Sequence, residues 1–138
     1  MKKLLPLLFA TVLPHYTHAT PQDACQHYFN KATDARMILY DDSGHTRTDL
    51  SHKVRATAER RSLAYFLLYE ACDPQDDAQT RMDVMVREYA TSHGNLSSPD
   101  VLALFGKSLP RRDRDRFFTS TLVTTLQKQY NRDAVAYK

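Results

Sequence analysis

Residues 54–72 read VRATAERRSLAYFLLYEAC, a stretch with no glycine or proline to interrupt a helix. Its first half is amphipathic: Val54 and Ala58 share a face, with Arg55, Glu59, Arg60 and Arg61 elsewhere. Its second half, residues 63–69, is apolar on every side. A helix that is apolar all round must be covered all round. The spacing therefore predicts a central helix over about 50–72, with Thr48 or Asp49 as its cap and Asp73-Pro74 as its stop. The other helices wrap it. The expected fold is an all-α, compact bundle of four to five helices.

The wrapping segments follow from apolar residues at helical spacing. Cys25, Tyr28, Phe29, Ala32, Ala35, Arg36 and Leu39 form one stripe, which predicts a helix over about 24–40. Residues 41–46 (DDSGHT) then read as a solvated turn. Asp41, Ser43 and His45 alternate as at the start of a calcium loop, but the remaining ligands are missing. Ala78, Met82, Met85, Val86 and Tyr89 predict a helix over about 77–92, capped by Asp76 or Asp77 and stopped by Gly94. Ser98-Pro99-Asp100 opens a short helix ending at Gly106. A last long helix runs from about 111 to 130, with Phe117, Thr121, Leu122, Leu126 and Tyr130 facing inward and Phe118 at the edge. Only three glycines occur, and β-branched runs are scarce, which speaks against a sheet.

The N-terminal residues have the character of a leader. Lys2 and Lys3 precede an apolar run over 4–13 that is too short to span a bilayer. Thr17-His18-Ala19 fits a small-residue cleavage pattern. Residues 1–19 are thus expected to be a cleavable secretory signal peptide, and residues 20–138 a single helical domain. Gln22-Asp23-Ala24 before Cys25 is not the apolar, small sequence that lipoprotein processing needs. Loss of Lys2 and Lys3 would take the formal charge from +3 to +1. A near-neutral chain of this kind does not support a nucleic-acid role.

Export would place the chain in the periplasm or outside the cell, in oxidising conditions. Its only two cysteines, Cys25 and Cys72, are expected to form one disulfide there. They open the first helix and close the second, and those ends are neighbours in an antiparallel pair.

Catalytic signals are sparse. There is no nucleophile elbow of the G-x-S-x-G type and no H-E-x-x-H. His27, His45, His52 and His93 form no i, i+4 pair, and the cysteines lack metal-site spacing. No metal and no cofactor is expected. Glu59, Glu70 and Glu88 are isolated acids whose spacing pairs them with no second group. Residues 111–116 (RRDRDR) stand out instead. Arg111, Arg112, Arg114 and Arg116 crowd the start of a helix, where the dipole is already positive. That arrangement suits an anion or an acidic partner surface. A polar face with Thr121 and Thr125 follows. Arg61, near the inward stripe of its helix, is expected to pair with a carboxylate from another helix.

The expected function is a noncatalytic periplasmic protein that binds another envelope or secreted protein. Immunity proteins and other inhibitors, chaperones and envelope-assembly factors are the classes considered. The expected contact residues are Arg111, Arg112, Arg114, Arg116, Thr121 and Thr125, with no stable membrane insertion after cleavage. Two alternatives stand beside it. One is a small secreted hydrolase whose carboxylate and histidine groups meet only in the fold. The other is a carrier of a small ligand or metal. Either requires a concave pocket with converging titratable groups.

Overall fold

The computed structural model describes residues 21–136, so the expected leader at 1–19 lies outside the described residues. Six α-helices follow one another: α1 (Pro21–Met37), α2 (His52–Cys72), α3 (Ala78–Ser92), α4 (Ser98–Lys107), α5 (Arg111–Thr119) and α6 (Thr121–Ala136). No strand occurs among the described residues, and one isolated bridge joins Tyr40 to Thr46. None of these helices is long and apolar enough to cross a membrane.

Helix α2 is the hub. It touches each of the other five helices. Ala64 and Leu67 are wholly buried, Tyr65 and Leu68 nearly so, and Leu63, Phe66 and Tyr69 pack against the core from its edge. Four of residues 63–69 are thus buried, and the other three are half-buried against neighbours. Met82 and Val86 from α3, Val101, Leu102 and Phe105 from α4, Phe117 from α5 and Leu126 from α6 complete one continuous core. Each fully buried large side chain contributes about 1.5–3 kcal/mol of transfer free energy.

Helix α1 lies against α2 and is tied to it by the Cys25–Cys72 disulfide, with Cα atoms 5.8 Å apart. Ala32 and Ala35 are buried at the contact, and Ser62 of α2 donates to the Ala32 carbonyl at 2.9 Å. Small residues here let the two backbones approach closely. The helix starts earlier than its apolar stripe predicts, at Pro21, whose fixed φ suits a first helical position. It also ends earlier, because the amides of Leu39 and Tyr40 bond back three residues to Arg36 and Met37 in tighter turns. Phe29 and Arg36, expected inward, are exposed at the rim; Phe29 leans edge-on against Phe66 at 5.7 Å. Val54 is likewise 46% exposed.

Several helix starts differ from expectation. Ser51 caps α2, accepting the Val54 amide at 3.1 Å. Asp49 is engaged elsewhere: its carboxylate takes two bonds from the Arg47 guanidinium, at 3.0 and 2.8 Å. Ser97 rather than Ser98 caps α4, which places Pro99 at the second helical position. Asp77 makes no side-chain cap bond and sits in left-handed backbone at φ 65. The turn at 41–46 folds on Asp41, whose Oδ1 accepts the amides of Ser43 and His45 at 2.9 Å. Gly44 supplies the positive φ that this tight reversal needs.

The expected long last helix is two helices. Ser120 takes an extended conformation, φ −62 and ψ 136, and breaks it into α5 and α6. The Ser120 hydroxyl then accepts the Val123 amide at 3.4 Å, acting as a cap for α6. This break raises the helix number to six and shifts the inward face. Val123 is buried, Leu122 is half-buried, and Thr121 points to solvent.

Candidate functional site

The four arginines of α5 divide into two pairs. Arg114 turns back and donates to the carbonyls of Lys107 and Leu109, at 3.3 and 3.1 Å, closing off the end of α4. Arg116 donates to the Tyr28 hydroxyl of α1 at 3.0 Å. Arg111 and Arg112 are exposed, with no hydrogen bond or ion pair among the described residues. Arg111, Arg112, Asp115 and Arg116 line a shallow concavity, and Arg116 and Thr121 share a neighbouring groove beside Cys72. The expected contact residues therefore differ in their surroundings. Arg114 belongs to the fold. Thr125 lies one turn further along α6, its hydroxyl donating to the Thr121 carbonyl at 2.8 Å.

Asp113 lies within the same run. It is buried, at 8% exposure, and accepts the Tyr65 hydroxyl at 2.5 Å, with the Lys31 ammonium at 3.6 Å. The missed signal is its spacing. Asp113 is four residues before Phe117, so it shares the face that Phe117 buries. A second phenol–carboxylate contact joins Tyr130 to Asp83 at 2.7 Å.

Burial, then the bonded carboxylate, pushes both the Tyr65 and the Tyr130 phenols well above the usual tyrosine range. Their contribution to stability is fully present below about pH 10, where an unfolded tyrosine begins to ionise. It is lost as pH rises towards the folded values. An ultraviolet phenolate titration should show two tyrosines ionising only in a late step that coincides with loss of helical circular dichroism. Tyr65→Phe and Tyr130→Phe should each remove one of them. An undiminished late step in either variant would contradict the assignment.

Two further concave surfaces lie on the other helices. The first lies along the α1–α2 seam and is lined by Ala35, Ile38, Lys53, Val54, Ala58 and Arg61, with Thr57. Its volume is about 260 Å³. Ile38 and Val54 are 43% and 46% exposed, and Lys53 and Arg61 supply positive charge at its edge. Arg61 meets no carboxylate among the described residues, contrary to expectation. Its Nε donates to the Ser108 carbonyl at 2.8 Å, which fastens this edge to the loop just before α5. Through this bond the edge of the groove is tied to the segment that joins α4 to α5.

The second is a cleft of about 300 Å³ between α1, α2 and α3. Arg36, Glu59, Glu88 and His93 line it over an apolar floor that includes Leu39, Leu63 and Met85. This cleft brings together titratable groups that the sequence left apart. No group of three or more metal-ligating side chains forms among the described residues.

Comparisons of the chain with protein-family models, with curated proteins and with solved structures find no match.

Proposed function

We propose that this chain is an exported, noncatalytic module that binds another protein through the α1–α2 groove and the basic start of α5. The leader-like residues 1–19 and the disulfide support export to an oxidising compartment. The observation that carries the binding reading is a half-exposed apolar strip, Ile38 and Val54, bounded by Lys53 and Arg61, together with Arg111 and Arg112, which have no ion pair among the described residues. An apolar centre inside a charged rim is the anatomy of a protein interface. The rim is basic, so the matching partner presents an acidic border round an apolar anchor.

Crosslinked pull-down from envelope extract, compared across variants, tests this. Ile38→Asp should reduce recovery of the wild-type partner by about tenfold or more, as for a residue at an interface centre. Arg111→Glu with Arg112→Glu should reduce it too, most strongly at low salt. Thr125→Ala should leave recovery unchanged. All these side chains are at least partly exposed and away from the core, so the variants should keep the wild-type melting curve. Unchanged recovery with Ile38→Asp and with the arginine reversals would overturn the proposed surface. Arg114→Ala and Arg116→Ala are unsuitable probes, because both side chains hold the fold together.

The alternative of a small-ligand carrier is favoured by a separate observation, the mixed-charge cleft between α1, α2 and α3.

A further inference from the structure

The chain has three glutamates, Glu59, Glu70 and Glu88. Glu70 is held by two bonds from Arg81, at 2.8 and 2.9 Å. The other two, one on α2 and one on α3, line the cleft of about 300 Å³, as does Arg36 from α1. Neither glutamate nor the Arg36 guanidinium has an ion pair among the described residues. Charges of both signs thus line one concavity without neutralising each other.

The uncharged lining adds two features. Leu39, Leu63 and Met85 give the cleft apolar surface between the charges. His93 stacks on Tyr89, with ring centres 3.7 Å apart and planes 10° from parallel. Its Nδ1 sits 2.9 Å from the Tyr89 carbonyl. The Ser92 hydroxyl lies 2.9 Å from the same Nδ1, so serine and imidazole share this end of the cleft. The cleft therefore offers two carboxylates to donors and one guanidinium to an acceptor.

We propose that this cleft binds a free basic amino acid of the lysine or arginine type. The complement of one guanidinium and two carboxylates is a ligand with one carboxylate and two cationic groups. A free basic amino acid carries that set, and its methylene chain suits the apolar floor. Arg36 takes the α-carboxylate with its forked donors. Glu59 and Glu88 take the α-ammonium and the side-chain cation. Cleft volume agrees with a ligand of this size, since about 300 Å³ is the lower end for small-molecule sites. The cleft shares no lining residue with the α1–α2 groove, so this inference stands apart from the protein-binding proposal.

Isothermal titration of the purified chain with L-lysine and L-arginine should give saturable binding with Kd below about 1 mM. L-norleucine lacks the side-chain cation and cadaverine lacks the carboxylate; each should bind about tenfold more weakly or worse. Glu59→Gln, Glu88→Gln and Arg36→Gln should each weaken lysine binding about tenfold, the loss of one charged hydrogen bond. Glu70→Gln, outside the cleft, should not. Melting curves of the same variants establish that they remain folded. Absence of binding, norleucine or cadaverine binding as tightly as lysine, or full lysine affinity in folded Glu88→Gln would each overturn the proposal.

Discussion

Replacing Cys25 and Cys72 together by alanine should remove about 4 kcal/mol from the stability of the fold. The two positions are 47 residues apart, so the bridge restrains a long loop in the unfolded chain. The packing of α1 explains why that restraint matters here. Among the described residues, the buried side chains of α1 and the turn that follows it are Cys25, Tyr28, Ala32, Ala35 and Leu39. Two of the five are alanines, which permit a close helix–helix approach but remove little apolar surface from water. The helix is therefore held by shape and by its covalent tie more than by buried area. A loss of this size is a large fraction of the 5–15 kcal/mol typical of a domain. Urea denaturation of the double variant should show the lower midpoint, with Tm reduced on the order of 15 °C. Hydrogen exchange should accelerate first in α1, while the amides of α2 keep their protection. A loss below about 1 kcal/mol would mean that packing alone holds α1 and that the bridge is dispensable.

The hub was legible because its apolar residues leave no face free, and only complete burial satisfies such a helix. The disulfide was legible from two cysteines and the antiparallel ends they mark. The break at Ser120 was not, because Thr119-Ser120-Thr121 contains neither glycine nor proline. Its signature is subtler. A register that starts on Phe117 should place an apolar residue at 121, where threonine stands, and resumes two positions later at Val123. Ser120 then satisfies free amides of α6 as a cap.

The candidate sites show the same limit. The α5 arginines were visible as a run, but only the folded structure separates Arg114 and Arg116, which bond to neighbouring segments, from Arg111 and Arg112, which make no such bond among the described residues. Helix caps failed for a related reason. Thr48, Asp49 and Ser51 are chemically equivalent candidates in a string, and the Arg47 guanidinium removes Asp49 from contention. The α1–α2–α3 cleft was beyond reach, since Arg36, Glu59, Glu88 and His93 come from three segments with no shared periodicity.

Asp113→Ala should cost about 2–3 kcal/mol, the penalty for leaving the Tyr65 hydroxyl without its charged acceptor inside the core. Tyr65 is 3% exposed, so water cannot replace the lost partner without opening the structure. Lys31 adds little to this figure, because its side chain is half-exposed and the pair is screened. Asp113 also sits in the first turn of α5, where a negative charge favours the helix dipole and offsets Arg111 and Arg112. Its removal should loosen the start of α5, and with it the surface proposed to meet the partner. Asp113→Asn keeps an acceptor for the phenol and should cost less. The decisive comparison is a double-mutant cycle with Tyr65→Phe. With both polar groups gone, the pair should cost clearly less than the sum of the single changes, since no orphaned hydroxyl remains. Additive losses would mean that the phenol and carboxylate are neighbours without being partners. The buried acid would then serve the helix start alone.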